Sequence, residues 1–198
     1  MPAQPKTKES AWPRPITNAL QGVTYWIGLN RSRDKSYKLS EGALVDELRS
    51  LIAGGMRDGE SLGREIWYHD LLADVPRAKW GNAFGEKTAR ADIVLRDEKR
   101  VYVLEVKRYG KSINKDVNRL ARLRRFLPSC RTALVIIAER EFPKEFVRLN
   151  GLARQDLFAT RGDDSLYEVS RVCKASSSLR QVRRDFAHYA CLLEVWQR

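Results

Sequence analysis

The sequence predicts an α/β domain with a central mixed sheet flanked by helices. Its core runs helix, three strands, helix, strand over about residues 40–138, with an added N-terminal strand and a C-terminal helix. Three observations lead to this. Leu44, Leu48, Leu51 and Ile52 recur at i, i+4, i+7 and i+8, marking one buried helical stripe over residues 40–53. Residues 90–95 and 101–107 are β-rich runs joined by the charged stretch Arg96-Asp97-Glu98-Lys99-Arg100, which reads as an antiparallel hairpin. Residues 131–138 are apolar without alternation, as a strand covered on both faces reads.

Residues 1–20 are rich in Pro and Lys, lack the apolar stretch of a secretory signal, and are expected to form a disordered arm; residues 21–198 then make a single domain. Residues 22–29 form the candidate N-terminal strand, followed by a basic linker. In the helix over 40–53, Ser40 is the N-cap and Gly54-Gly55 the stop. At 100° per residue Glu41 falls within its apolar stripe, Glu47 on the flank and Asp46 further out. Residues 64–69 are the first core strand. The connection 70–89 carries Trp80 and Phe84, for which core packing and stacking on nucleobases are both open. A second helix spans 113–127 with Ile113, Val117, Leu120, Leu123 and Leu127 inward, ended by Pro128. Beyond the strand at 131–138, residues 142–152 suggest a short helix and 165–173 a strand. From Ser177 onward Leu179, Val182, Phe186, Tyr189, Leu193 and Trp196 step by three and four, a helix packed on the domain.

At 198 residues the chain is long enough to bury a core without staples. Its 37 Lys and Arg exceed its 25 Asp and Glu by twelve, and a pI near 9.9 favours a polyanionic partner, DNA first, although membrane surfaces also attract basic proteins. Cys130, Cys173 and Cys191 are odd in number and lack C-x-x-C spacing, which argues for buried thiols in a reducing, cytoplasmic compartment rather than a zinc site. No stretch approaches the roughly 20 apolar residues of a membrane span.

Asp92, Glu105 and Lys107 interrupt the hairpin's apolar strands. Strand alternation puts Glu105 and Lys107 on one face, with Leu104 and Val106 on the other. Each would cost several kcal/mol to bury unpaired, so three such residues in one hairpin suggest a site, the plain alternative being a surface ion pair. An Asp opening one strand and Glu-x-Lys ending the next resembles the PD-(D/E)xK nuclease superfamily, the restriction-endonuclease-like fold; Ala91 stands where that family has proline. The resemblance implies an endonuclease that hydrolyses DNA phosphodiesters with Mg²⁺ or Mn²⁺. Asp92, Glu105 and the Val106 carbonyl would be ligands, and Lys107 would assist the attacking water. It also implies an extra acid that completes the cluster and could bind a second metal, with Glu41 first and Glu47 and Glu65 competing.

A basic tract follows: Arg108, Lys111, Lys115, Arg119, Arg122, Arg124, Arg125 and Arg131 against the single acid Asp116. Lys115, Arg119 and Arg122 share a helix face at i, i+4 and i+7, and with Lys111 are expected to contact phosphates. His69 and His188 read as structural. Two other functions fit the same residues: a non-catalytic nucleic-acid-binding or assembly protein, and a nuclease subunit of a transposition, repair or phage-defence complex. A homodimer is compatible with each.

Overall fold

A computed structural model describes residues 12–33, 39–81, 84, 89–160, 164–176 and 187–197. Its first element is a helix, α1 (Arg14–Arg33). Ile16, Leu20, Val23 and Ile27 are fully buried at i, i+4, i+7 and i+11, a continuous helical stripe. Residues 22–29 therefore belong to a helix and not to the expected N-terminal strand: their β-branched and aromatic content yields to a period set by residues upstream. Residues 14–20, expected in a disordered arm, form the first turns of that helix, while 1–11 lie outside the described residues.

The second helix, α2 (Glu41–Gly54), begins where expected. Ser40 Oγ accepts the Ala43 N–H at 3.1 Å, satisfying one of the orphan donors of the first turn. The two helices pack closely at Gly22, where a Cβ would stand 3.0 Å from Leu51 Cδ1.

Next come β1 (Ser61–Trp67), α3 (Tyr68–Leu71), α4 (Arg77–Trp80), β2 (Arg90–Arg96), β3 (Val101–Arg108), α5 (Asn114–Phe126), β4 (Cys130–Glu139), β5 (Leu157–Ala159), β6 (Ser165–Ser176) and β7 (Ala187–Gln197). The seven strands form one mixed sheet in the order β1-β2-β3-β4-β7-β6-β5. β3 and β4 pair in parallel through the α5 crossover, and every other neighbouring pair is antiparallel. One face carries α1 and α2 over Leu104, Val106, Val135 and Leu192. The other carries α3 and α5 over Val94, Val103, Leu134 and Leu193.

Three further expectations need correction. Residues 187–197, expected as part of a C-terminal helix, form strand β7, buried from Ala187 through Val195 because α1 covers one face and α5 the other; residues 177–186 lie outside the described residues. Residues 142–152 form turns closed by a bridge between Val147 and Ala153 instead of a helix. The first core strand begins at Ser61 rather than Arg64 and stops at Trp67, since Tyr68 opens α3.

Trp80 donates its indole N–H to the Val75 carbonyl at 2.9 Å, and Phe84 meets Tyr68 edge-on at 5.1 Å between centroids. Both rings pack on the core. The three cysteines are buried and free, and burial pushes the Cys130 thiol up to about 12. No helix among the described residues is long and apolar enough to cross a membrane.

A buried ion network ties Trp12, just before α1, to the sheet. Glu194 of β7 accepts from Arg131 Nε and Arg124 Nη1, both at 3.1 Å, and from the Trp12 indole N–H at 3.1 Å, with the Arg131 guanidinium 4.4 Å from the Trp12 ring centroid.

Candidate active site

The hairpin places Asp92 and Glu105 side by side. Backbone pairs between β2 and β3 run from Arg96↔Val101 to Ile93↔Leu104, and at the next position the Asp92 side chain enters the ladder: its Oδ2 accepts the Val106 N–H at 2.8 Å. A strand residue's N–H and C=O face the same neighbour, so the Val106 carbonyl is directed to that same gap. Glu105 is 2% exposed on the α5 face, and its Oε1 accepts the Tyr68 hydroxyl at 2.8 Å and Arg119 Nη2 at 3.2 Å. The two carboxylates lie close enough to hydrogen-bond when one carries a proton. Burial and the Asp92 charge push Glu105 up to about 8, against the pull of Arg119 and Tyr68. Burial also raises Asp92, opposed by the Val106 N–H, by Glu105 and by Lys107.

Lys107 Nζ lies 3.2 Å from Glu41 Oε1 and 3.8 Å from Asp116 Oδ2. Burial alone would lower the lysine, but Asp116, Glu41 and Glu105 outweigh it and the pKa rises, so the side chain is a persistent ammonium. Of the three candidate extra acids, Glu41 is the one in contact with this lysine. Glu65 turns to Arg64 and Arg90, at 3.4 and 3.1 Å, from a left-handed backbone with φ 51°. Glu47 is held further along α2, where burial raises it.

The basic tract sorts into different roles. Lys111, Lys115 and Arg122 are exposed. Arg119 is not on an open phosphate-facing surface: its guanidinium turns inward to Asp116 at 2.7 Å and to Glu105, lying 5.6 Å from the Tyr68 ring. Arg108 pairs with Glu139, and Arg124 and Arg131 with Glu194. Sequence reasoning missed Tyr68 and the inward role of Asp116 and Arg119. The available signal was the i, i+3 spacing of Asp116 and Arg119 on one helix.

Four acids (Glu41, Asp92, Glu105, Asp116) thus surround two cations (Lys107, Arg119), a formal excess of two negative charges in a chain whose net charge is +12. Among the described residues, no three His, Cys, Asp or Glu side chains converge as a ready ligand cluster. The donor set for a cation is therefore two carboxylates and a strand carbonyl, hard oxygen ligands that suit Mg²⁺ when waters and substrate oxygens complete its shell. Compared with protein-family models, with curated proteins and with solved structures, the chain finds no match in any of the three.

Proposed function

We propose that this chain is a divalent-metal-dependent nuclease of the PD-(D/E)xK type acting on DNA, with Asp92, Glu105 and Lys107 as its catalytic residues. The observation that carries this reading is the pairing of Asp92 with Glu105. Two carboxylates share a buried position where both are raised toward the neutral form, an arrangement that a cation relieves. The chain order around them, α2, β1, β2, β3, α5 and β4 with the short α3 and α4 between β1 and β2, supports the same reading.

Asp92, Glu105 and the Val106 carbonyl would hold Mg²⁺, which when bound supplies charge neutralisation and a water acidic enough to act as nucleophile. The Val106 N–H fixes Asp92, while Tyr68 and Arg119 fix Glu105, so neither ligand needs to reorganise. Lys107 is held charged by Glu41 and Asp116 and so acts as a hydrogen-bond donor to the developing phosphorane oxygens rather than as a base. Glu41 serves as an orienting acid for Lys107. Exposed Lys111, Lys115 and Arg122 provide sequence-tolerant contacts to the backbone.

Incubating the full chain with plasmid, linear and branched DNA, with and without Mg²⁺ or Mn²⁺, tests this. Cleavage should require metal and vanish in Asp92→Ala and Glu105→Ala, and Lys107→Ala should keep DNA binding while losing most of the rate. Full activity in all three variants would sink the assignment. The non-catalytic binding reading is favoured by one feature, the internal neutralisation of Glu105 by Arg119, and predicts DNA binding that ignores metal.

A further inference from the structure

At the same end of the sheet but on the α1 face, β4 closes with an unusual concentration of unsatisfied polar groups. Glu139, with a side chain 4% exposed, lies 2.6 Å from Arg31 of α1 and 3.3 Å from Arg108 of β3. Arg140 follows it in a left-handed backbone with φ 57°, and its buried Nε has no hydrogen-bond partner among the described residues. His188, opposite Glu139 in the β4–β7 register, is 0% exposed, and neither Nδ1 nor Nε2 has a partner among the described residues. Burying polar nitrogens without partners is costly, and so is holding an arginine at positive φ. Glu139 pairs with two guanidiniums, but its buried Oε1 makes no hydrogen bond among the described residues, so the nitrogens of Arg140 and His188 are left without an acceptor.

We propose that Arg108, Arg140 and His188 form a binding site for a phosphate oxyanion, with Arg31 and Glu139 as its supporting wall. A guanidinium's planar donors match the oxygens of phosphate, and an imidazole supplies one more donor when protonated. The charges that act on His188 are Arg31 from α1 and Arg140 just past β4; Glu139 lies opposite it in the register and pairs with Arg108 of β3, while its β6 partner Ala175 is apolar. Burial, then Arg140 and Arg31, hold the histidine down at about 4; an oxyanion seated between them reverses the field it feels. Strand alternation sets Arg108 back to back with Lys107, so this site and the carboxylate pair occupy opposite faces of one strand end. The inference does not rest on hydrolysis, and Asp92→Ala should leave it intact.

The chain has only two histidines, His69 and His188, which makes ring NMR of the full protein a direct readout. Inorganic phosphate, added at constant ionic strength against chloride, should shift the His188 signals saturably and leave exposed His69 in place. It should also raise the His188 pKa by about one pH unit or more. Arg140→Gln should keep the native melting temperature and weaken phosphate binding at least about tenfold. Oligonucleotides with a 5′-phosphate or a 5′-hydroxyl separate the sources. A preference for the first assigns a terminal monoester, an equal response an internal phosphodiester, and a response to inorganic phosphate alone a free anion. No His188 response to any probe, or unchanged phosphate affinity in a folded Arg140→Gln variant, overturns the proposal.

Discussion

Glu105 meets two opposed demands, since it is buried as deeply as a core leucine yet ligated like an ion. With its pKa raised from 4.5 to about 8, the folded chain keeps across that window a proton that the unfolded chain has released. The Glu105 contribution to the stability of the metal-free protein should therefore fall as pH climbs from 4.5 through 8, and Asp92, also raised, works in the same direction. Urea unfolding at pH 5 and pH 8 should show wild type losing at least about 1 kcal/mol that Glu105→Gln does not lose. The same profile in wild type and Glu105→Gln would mean the carboxylate is ionised throughout; the comparison with the variant is needed because His188, held down at about 4, adds stability over the lower part of the same window in both. Tyr68→Phe removes a buried donor to Glu105 and should cost about 1–2 kcal/mol while weakening any metal-induced rise in melting temperature. Asp92, Glu105 and Lys107 could be read from sequence because charged residues in apolar strands are conspicuous. Tyr68 could not, since nothing local shows that the start of α3 folds over β3. Arg119 was placed on the correct helix, but a helical wheel gives a direction and not what lies opposite.

At the level of elements, α2 aims Glu41 through its N-cap. Ser40→Ala should cost about 1 kcal/mol and loosen the Glu41–Lys107 pair, readable as a lower melting temperature with unchanged β-sheet signal. α5 tests the DNA path: Lys115→Gln with Arg122→Gln should reduce the log–log salt slope of duplex affinity by roughly 1.8, about 0.9 per contact. Arg119→Gln belongs to a different class and should instead impair metal response, because it turns inward. The hairpin, α2, α5 and β4 were legible since each shows one clear period or a bounded apolar run. β7 was not. A strand buried on both faces carries no alternation, so chance spacings of three and four through Tyr189, Leu193 and Trp196 read as a helix. The strand assigned to residues 22–29 failed for the converse reason, because its window cut the stripe that begins at Ile16.

Across the whole molecule, Glu194 is the point where the segment leading into α1, with α5, β4 and β7, is held together. Glu194→Ala strands Arg131, itself 5% exposed, and should destabilise the fold by about 3–5 kcal/mol in urea titration, whereas a surface change such as Asp156→Ala should fall within about 0.5 kcal/mol. The mixed sheet was foreseen as an architecture. Its order was not, since which strand enters beside β4 depends on pairing between distant segments and leaves no local mark.

That order bears on synthesis. β7 lies between β4 and β6, so a chain emerging from the ribosome displays the apolar edge of β4 unpaired until residues 187–197 have been made. Vectorial folding can complete the hairpin and the α5 crossover early, but sheet closure has to wait. Chains halted at residue 176 should pellet on centrifugation where the full chain stays in the supernatant, and they would depend on chaperones for as long as that edge is open.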